Sequence, residues 1–144
     1  MSAVYCDTSI LMPVFVDGAQ SARVEAWIGA PRVDPIVSDL VILDFSAALS
    51  RLVSERVLDD AQARTVNGVF DAWCDRRLRP LTTTSEILAS ARTIVQDAAL
   101  GVRGPDALHL ALLQVTGLPF ATFDARLRRA ADTLGLATLE PPPL

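Results

Sequence analysis

The sequence predicts an α/β protein, a three-layer α/β/α sandwich built on a central parallel sheet of about five strands. Three observations carry this. Short apolar runs such as "VYC" and "PFATF" lack the alternation of a half-wet sheet and suit strands buried on both faces. Stretches with helical spacing separate each run from the next. Parallel neighbours also need crossover connections, which helices supply.

Taken in order, strands are expected at about 2–6, 34–38, 78–82, 119–123 and 136–139. "GAQSARVEAWIG" reads as a helix after a turn at Gly18. "LVILDFSAALSRLVSER" places Leu43, Ala47, Leu49 and Leu52 at helical spacing, and "DDAQARTVNGVFDAWCDRR" follows closely. "TSEILASARTIVQDAAL" opens on Ser85 or a neighbouring Thr as N-cap. "PDALHLALLQVTG" has Pro105 in its first turn and Gly117 at its end, and "DARLRRAADTLG" closes at Gly135. The 144 residues suit a single domain over 1–140, followed by a short proline-rich tail at 141–144.

Composition removes several kinds of chemistry. All thirteen basic residues are Arg, so a phosphate-loop lysine and a Schiff base are excluded. His109 is the only histidine, so any Ser-His or Cys-His nucleophile must use it. A zinc site would have only that residue, Cys6 and Cys74 to draw on before carboxylates. Both cysteines lie in apolar surroundings and read as reduced, structural residues. A net charge of −4 and a pI near 4.8 argue against nucleic-acid binding by bulk charge, though not against a local basic face. Arg76, Arg77 and Arg79 form one basic cluster, and Arg126, Arg128 and Arg129 another. No run reaches the roughly 18 to 20 apolar residues that span a bilayer, and no secretory leader is visible, so a cytoplasmic location is expected.

Ligands of open parallel sheets bind outside the carboxyl ends of the strands. Asp7 follows the first strand directly and Asp124 follows "PFATF", which should place both on that edge. Asp106 opens the helix "PDALHLALL", and Asp44 lies in the first turns of "DLVILDFSAAL". Four carboxylates in one cleft repel one another unless protons or a cation offset them, and a hard divalent ion with oxygen ligands, Mg²⁺ or Mn²⁺, suits the set. Each residue also has a plainer role. Asp7, Asp106 and Asp124 are good helix-start residues. Asp44, among Val41, Ile42, Leu43 and Phe45, is costly unless it faces water or a partner.

"VYCDTSIL", "SDLVILDFSAALSRL", "PDALHLALL" and "PFATFDARLRRAADTLGL", in this order and spacing, resemble the PIN domain, with most similarity to the toxins of VapBC toxin-antitoxin pairs. The resemblance implies that Asp7 and Asp106 are principal ligands of Mg²⁺ or Mn²⁺. Asp124 would complete the metal pocket directly or through water, and Thr122 matches a hydroxyl residue two positions before it. Asp44 stands where the family usually carries Glu, one methylene longer. Thr8 and Ser9 match the hydroxyls after the first Asp, with helix capping as their expected role. The implied activity is a metal-dependent endoribonuclease, with RNA as substrate, a small cognate antitoxin as partner, and a homodimer built on apolar helix faces.

Other readings rank below this one. A haloacid dehalogenase-like phosphatase would want a second Asp two positions after Asp7, where Ser9 stands. A PIN-like RNA-binding module without hydrolysis is favoured only by Asp44. No G-x-G-x-x-G follows the first strand, which weakens a nicotinamide-binding reading. His109 falls three residues after Asp106, but Leu108, Leu110 and Leu112 beside it suggest a packed histidine, outside the catalytic set. Trp27 and Trp73 read as packing residues rather than base-stacking platforms.

Overall fold

The structure, a computed structural model, describes residues 2–77 and 80–144. The chain runs through β1 (Ser2–Cys6), α1 (Thr8–Phe15), α2 (Ser21–Ile28), β2 (Val33–Ile36), α3 (Asp39–Ser54) and α4 (Asp60–Asp75). It continues through α5 (Ser85–Gln96), a 3-10 turn (Ala98–Leu100), α6 (Gly104–Thr116), β3 (Phe120–Ala121), α7 (Ala125–Thr133) and β4 (Thr138–Leu139). The four strands form one sheet in the order β2-β1-β3-β4, every pair parallel. Tyr5 and Cys6 are both fully buried, as are Phe120 and Ala121. Successive strand residues point to opposite faces, so the sheet is covered on both sides, as its uninterrupted apolar strands require.

Among the described residues the sheet has four strands, where about five were expected. Leu78 and Arg79, the start of the expected strand at 78–82, lie outside the described residues. The remainder makes a single parallel bridge, Ser38 to Leu81. Leu81 N–H donates to the Val37 carbonyl at 2.9 Å and Asp39 N–H to the Leu81 carbonyl at 2.9 Å. Pro80 precedes this bridge. Pro35, two residues before Val37 and so turned to the same edge, has no N–H and cannot donate to a longer ladder there. β3 and β4 are also shorter than the apolar runs that contain them.

Helix starts follow the sequence signals. Thr84 caps α5 by accepting from Ile87 N–H at 3.2 Å, and Asp59 and Gln62 form a capping box at the start of α4. Gly117 and Gly135 adopt positive φ just beyond α6 and α7, where side chains are disfavoured. α1 packs on α2, α3 and α4, while α5 pairs with α6. An aromatic cluster joins the first group: Phe45 and Phe70 lie 3.8 Å apart, with Phe15 and Trp73 against Phe70. Trp73 is therefore a packing residue, with the Arg77 guanidinium 4.2 Å from its ring. Cys6 and Cys74 are free and buried, and burial pushes the Cys74 thiol up to about 11, so it stays protonated and unreactive. Among the described residues no helix is long and apolar enough to cross a membrane.

Candidate metal centre

The register of β1 and β3 pairs Tyr5 with Phe120 and Cys6 with Ala121, so the residues that follow them leave the sheet side by side. Asp7 leaves from one strand; Thr122 and Asp124 leave from the other. Ser38, at the start of α3, and Gly104, at the start of α6, send Asp44 and Asp106 to the same edge. All four aspartates line one cavity of about 600 Å³, together with Thr8, Ser9 and His109. Arg51, Arg103 and Arg126 line it as well. The convergence expected from strand ends and helix starts is observed.

Asp7 is the most enclosed of the four, 5% exposed. Its Oδ1 accepts from Ser9 Oγ at 2.6 Å and from Ile10 N–H at 3.3 Å, and its Oδ2 accepts from Thr122 Oγ1 at 2.5 Å. Burial raises its carboxyl above the ordinary carboxylate range, and the hydrogen bonds from Ser9 and Thr122 offset this only in part. The two hydroxyls also stitch the strand ends together. Ser9 Oγ accepts from Phe123 N–H at 2.9 Å, and Thr122 Oγ1 accepts from Asp124 N–H at 3.0 Å.

Capping and lining the cavity are not alternatives here. Asp7 caps α1, and Asp124 caps α7 through Oδ1, which accepts from Arg126 N–H at 3.0 Å and Leu127 N–H at 3.1 Å. Asp106 accepts from Arg103 N–H at 3.2 Å through Oδ2, which also lies 3.6 Å from the Arg126 guanidinium. The same residues that start helices thus present carboxylates to the cavity. Ser9 and Thr122 act on Asp7 as supports. Thr8 does not cap: its hydroxyl oxygen is buried beside the cavity and has no hydrogen-bond partner among the described residues.

Asp44 escapes the cost its apolar neighbours suggested. Its side chain is 33% exposed, and its Oδ2 lies 3.1 Å from His109 Nε2. His109, read from sequence as a packed histidine, is indeed buried, but its ring joins the acidic site. The signal was its place one turn after Asp106; the reach of Asp44 from α3 was not readable. In the Arg126–Arg129 stretch the roles divide. Arg126 lines the cavity, whereas Arg128 donates to the Thr122 carbonyl and pairs with Glu140, bracing β3 against the chain end.

The donor set is all hard oxygen, which fits Mg²⁺ or Mn²⁺. Among the described residues no three of the His, Cys, Asp and Glu side chains form a ready-made cage. Mg²⁺ commonly keeps several waters and takes one or two carboxylates, so this open group suits an aquated cation rather than a closed protein site.

An acidic cleft at the carboxyl edge of a parallel sheet, fed by four separate elements, stands where α/β domains of this kind bind ligands. The chain belongs to the PIN domain family, which it matches over residues 4–133. Solved structures share the fold at low identity. FitAcB from Neisseria gonorrhoeae is 18% identical, covering 96% of this chain and 97% of its own, with a TM-score of 0.67. VapC20 of Mycobacterium tuberculosis, a Sarcin-Ricin loop cleaving toxin, is 15% identical over 88% of this chain and 94% of its own, with a TM-score of 0.68. DNA-bound VapBC from Salmonella typhimurium is 13% identical, covering 99% and 100%, at a TM-score of 0.68. No curated protein matches the sequence.

Proposed function

We propose that the protein is a Mg²⁺- or Mn²⁺-dependent endoribonuclease acting in the cytoplasm as the toxin of a type II toxin-antitoxin pair. The observation that carries this is the shared cavity of Asp7, Asp44, Asp106 and Asp124 with arginines among its lining residues. Asp7, Asp106 and Asp124 would hold the cation, which when bound supplies a Lewis acid for the phosphoryl oxygens. Asp44 would reach the cation through a water, which it orients for attack and whose proton it takes. Arg51, Arg103 and Arg126 position the phosphate backbone of single-stranded RNA by charge-assisted hydrogen bonds. Similarity to toxin structures, one of them described as cleaving the Sarcin-Ricin loop, supports RNA as the substrate class and a small antitoxin as partner. A homodimer belongs to the same reading.

The phosphatase alternative gains nothing from the geometry. Asp7 would be its nucleophile, yet where a second Asp would be wanted two positions on stands Ser9, whose hydroxyl donates to Asp7. The test is incubation of purified protein with single-stranded and structured RNA in Mg²⁺ or Mn²⁺, then in chelator, beside Asp7→Asn. Cleavage should require metal and vanish in the variant. Identical background from both proteins in every condition would overturn the reading, and phosphate release from small monoesters would favour the phosphatase. Growth arrest on expression, relieved by a co-expressed neighbour, tests the toxin role.

A further inference from the structure

A buried chain of hydrogen bonds runs under the cavity and reaches it at Asp44. Val41 N–H donates to Ser38 Oγ at 3.1 Å, Ser38 Oγ lies 2.8 Å from Tyr5 Oη, and Tyr5 Oη lies 2.8 Å from His109 Nδ1. The other ring nitrogen, Nε2, lies 3.1 Å from Asp44 Oδ2. Ser38 and Tyr5 are fully buried and His109 is 4% exposed, so an unmet donor anywhere in the chain would be expensive.

One arrangement of protons satisfies every member. Ser38 Oγ already accepts from Val41, and among the described residues Tyr5 Oη is the acceptor available to its proton. Tyr5 must then donate its own phenol proton onward, to the ring nitrogen 2.8 Å away. His109 Nδ1 is the acceptor, which leaves the ring proton on Nε2, aimed at the Asp44 carboxylate. Reversing the direction would strand the Ser38 proton. Asp44 lies on a partly open helix face, where a free carboxylate would turn among rotamers.

We propose that His109 is a positioning residue: its Nε2–H pins Oδ2 of Asp44 so that the carboxylate is held at the acidic cavity, and Tyr5 and Ser38 fix the tautomer that does so. The hydrogen bond made at one ring nitrogen sets which nitrogen carries the proton, and so which one can donate to the carboxylate. Its consequence for hydrolysis rests on the nuclease reading; its geometry does not.

Because His109 is the sole histidine, the imidazole ¹H–¹⁵N correlation spectrum of the full chain at neutral pH reports one ring. A neutral Nε2–H tautomer is expected, with averaging between tautomers in Tyr5→Phe; an Nδ1–H tautomer or averaging in the wild type overturns the proposal. The second measurement is a double-mutant cycle on Mn²⁺ affinity by calorimetry. His109→Ala should weaken binding on the order of 10- to 100-fold, and should add nothing in an Asp44→Asn background. Losses that simply add would make His109 a packing residue and end the idea. His109→Gln, whose amide can offer an N–H near the Nε2 position, should recover most of the affinity, and it carries the cycle if the alanine variant does not fold. Intact Mn²⁺ coupling without RNA cleavage would sink the nuclease reading and leave this one standing. Absence of Mn²⁺ binding by the wild type would overturn the positioning role.

Discussion

The two walls of the acidic cavity are built differently. On one wall, Asp7 and Asp124 sit where β1 and β3 end, and the hydroxyls of Ser9 and Thr122 tie both to backbone from the neighbouring segment. On the other, Asp44 and Asp106 project from α3 and α6, 33% and 24% exposed, and their partners from outside their own helix start are side chains: His109 for Asp44 and Arg126 for Asp106, the latter carboxylate also accepting from Arg103 N–H. Strand ends in register are fixed to within the ladder's tolerance, whereas a carboxylate on a helix is placed by its rotamer and partner. Substitutions on the strand wall should therefore change stability and activity together. On the helix wall they should change activity with little effect on stability.

The largest effect is expected at Asp7. Asp7→Asn keeps the shape and the capping oxygen but removes the charge, and should lower cleavage about 10²- to 10⁴-fold, the equivalent of several kcal/mol of transition-state stabilisation. Stability should move the other way. The Asp7 carboxyl titrates above its ordinary range because burial disfavours its charge. Its contribution is thus fully present below the unfolded value of about 3.9 and is lost as pH rises through the folded value. The metal-free variant should melt higher than wild type near neutral pH, with the gap closing toward about pH 4. Calorimetry across pH checks this, and Mn²⁺ should narrow the gap by stabilising only the wild type. A variant that melts lower at neutral pH would mean that the hydroxyl bonds to Asp7 outweigh its desolvation.

Thr122 comes next, because it belongs to the same wall yet carries no charge. Thr122→Val preserves volume but removes the donor to Asp7 Oδ2 and the acceptor of Asp124 N–H. Leaving buried polar groups unmet costs about 1–3 kcal/mol, so denaturant melts should show a loss of that size. Cleavage should fall as well, since both strand-end carboxylates lose a brace. A stability loss without loss of activity would separate the two properties on this wall and break the contrast.

That contrast also marks how much the sequence revealed. Asp7, Thr122 and Asp124 were legible because position just after a strand fixes which edge a residue occupies, and "VYC" and "PFATF" announce their strands by composition. Asp106 was legible from Pro105 and the helix start. The His109–Asp44 contact was not, because it depends on how α3 and α6 pack across the end of the sheet, and no local pattern encodes that distance. Of the strand expected at 78–82, Leu78 and Arg79 lie outside the described residues and the remainder makes one bridge, on an edge where Pro35 withholds a donor. Thr8 was expected to cap, but Asp7 already serves α1, and its own hydroxyl is left over.

The smallest effect on stability should come from Arg126, where the helix-wall expectation is most exposed to failure. Its side chain is 56% exposed, with the guanidinium 3.6 Å from Asp106, a geometry for which ion pairs contribute about 0–1 kcal/mol. Arg126→Gln should leave the melting temperature within about 2 °C. Its charge stands among the cavity residues, however, so RNA should bind more weakly. If Arg126 contacts one phosphate, the slope of log affinity against log salt should flatten by about 0.7 for a single strand. Fluorescence anisotropy with labelled RNA, using the Asp7→Asn background to prevent cleavage, measures that slope. An unchanged slope with a lowered melting temperature would show that Arg126 serves Asp106 rather than RNA, making the helix wall as structural as the strand wall.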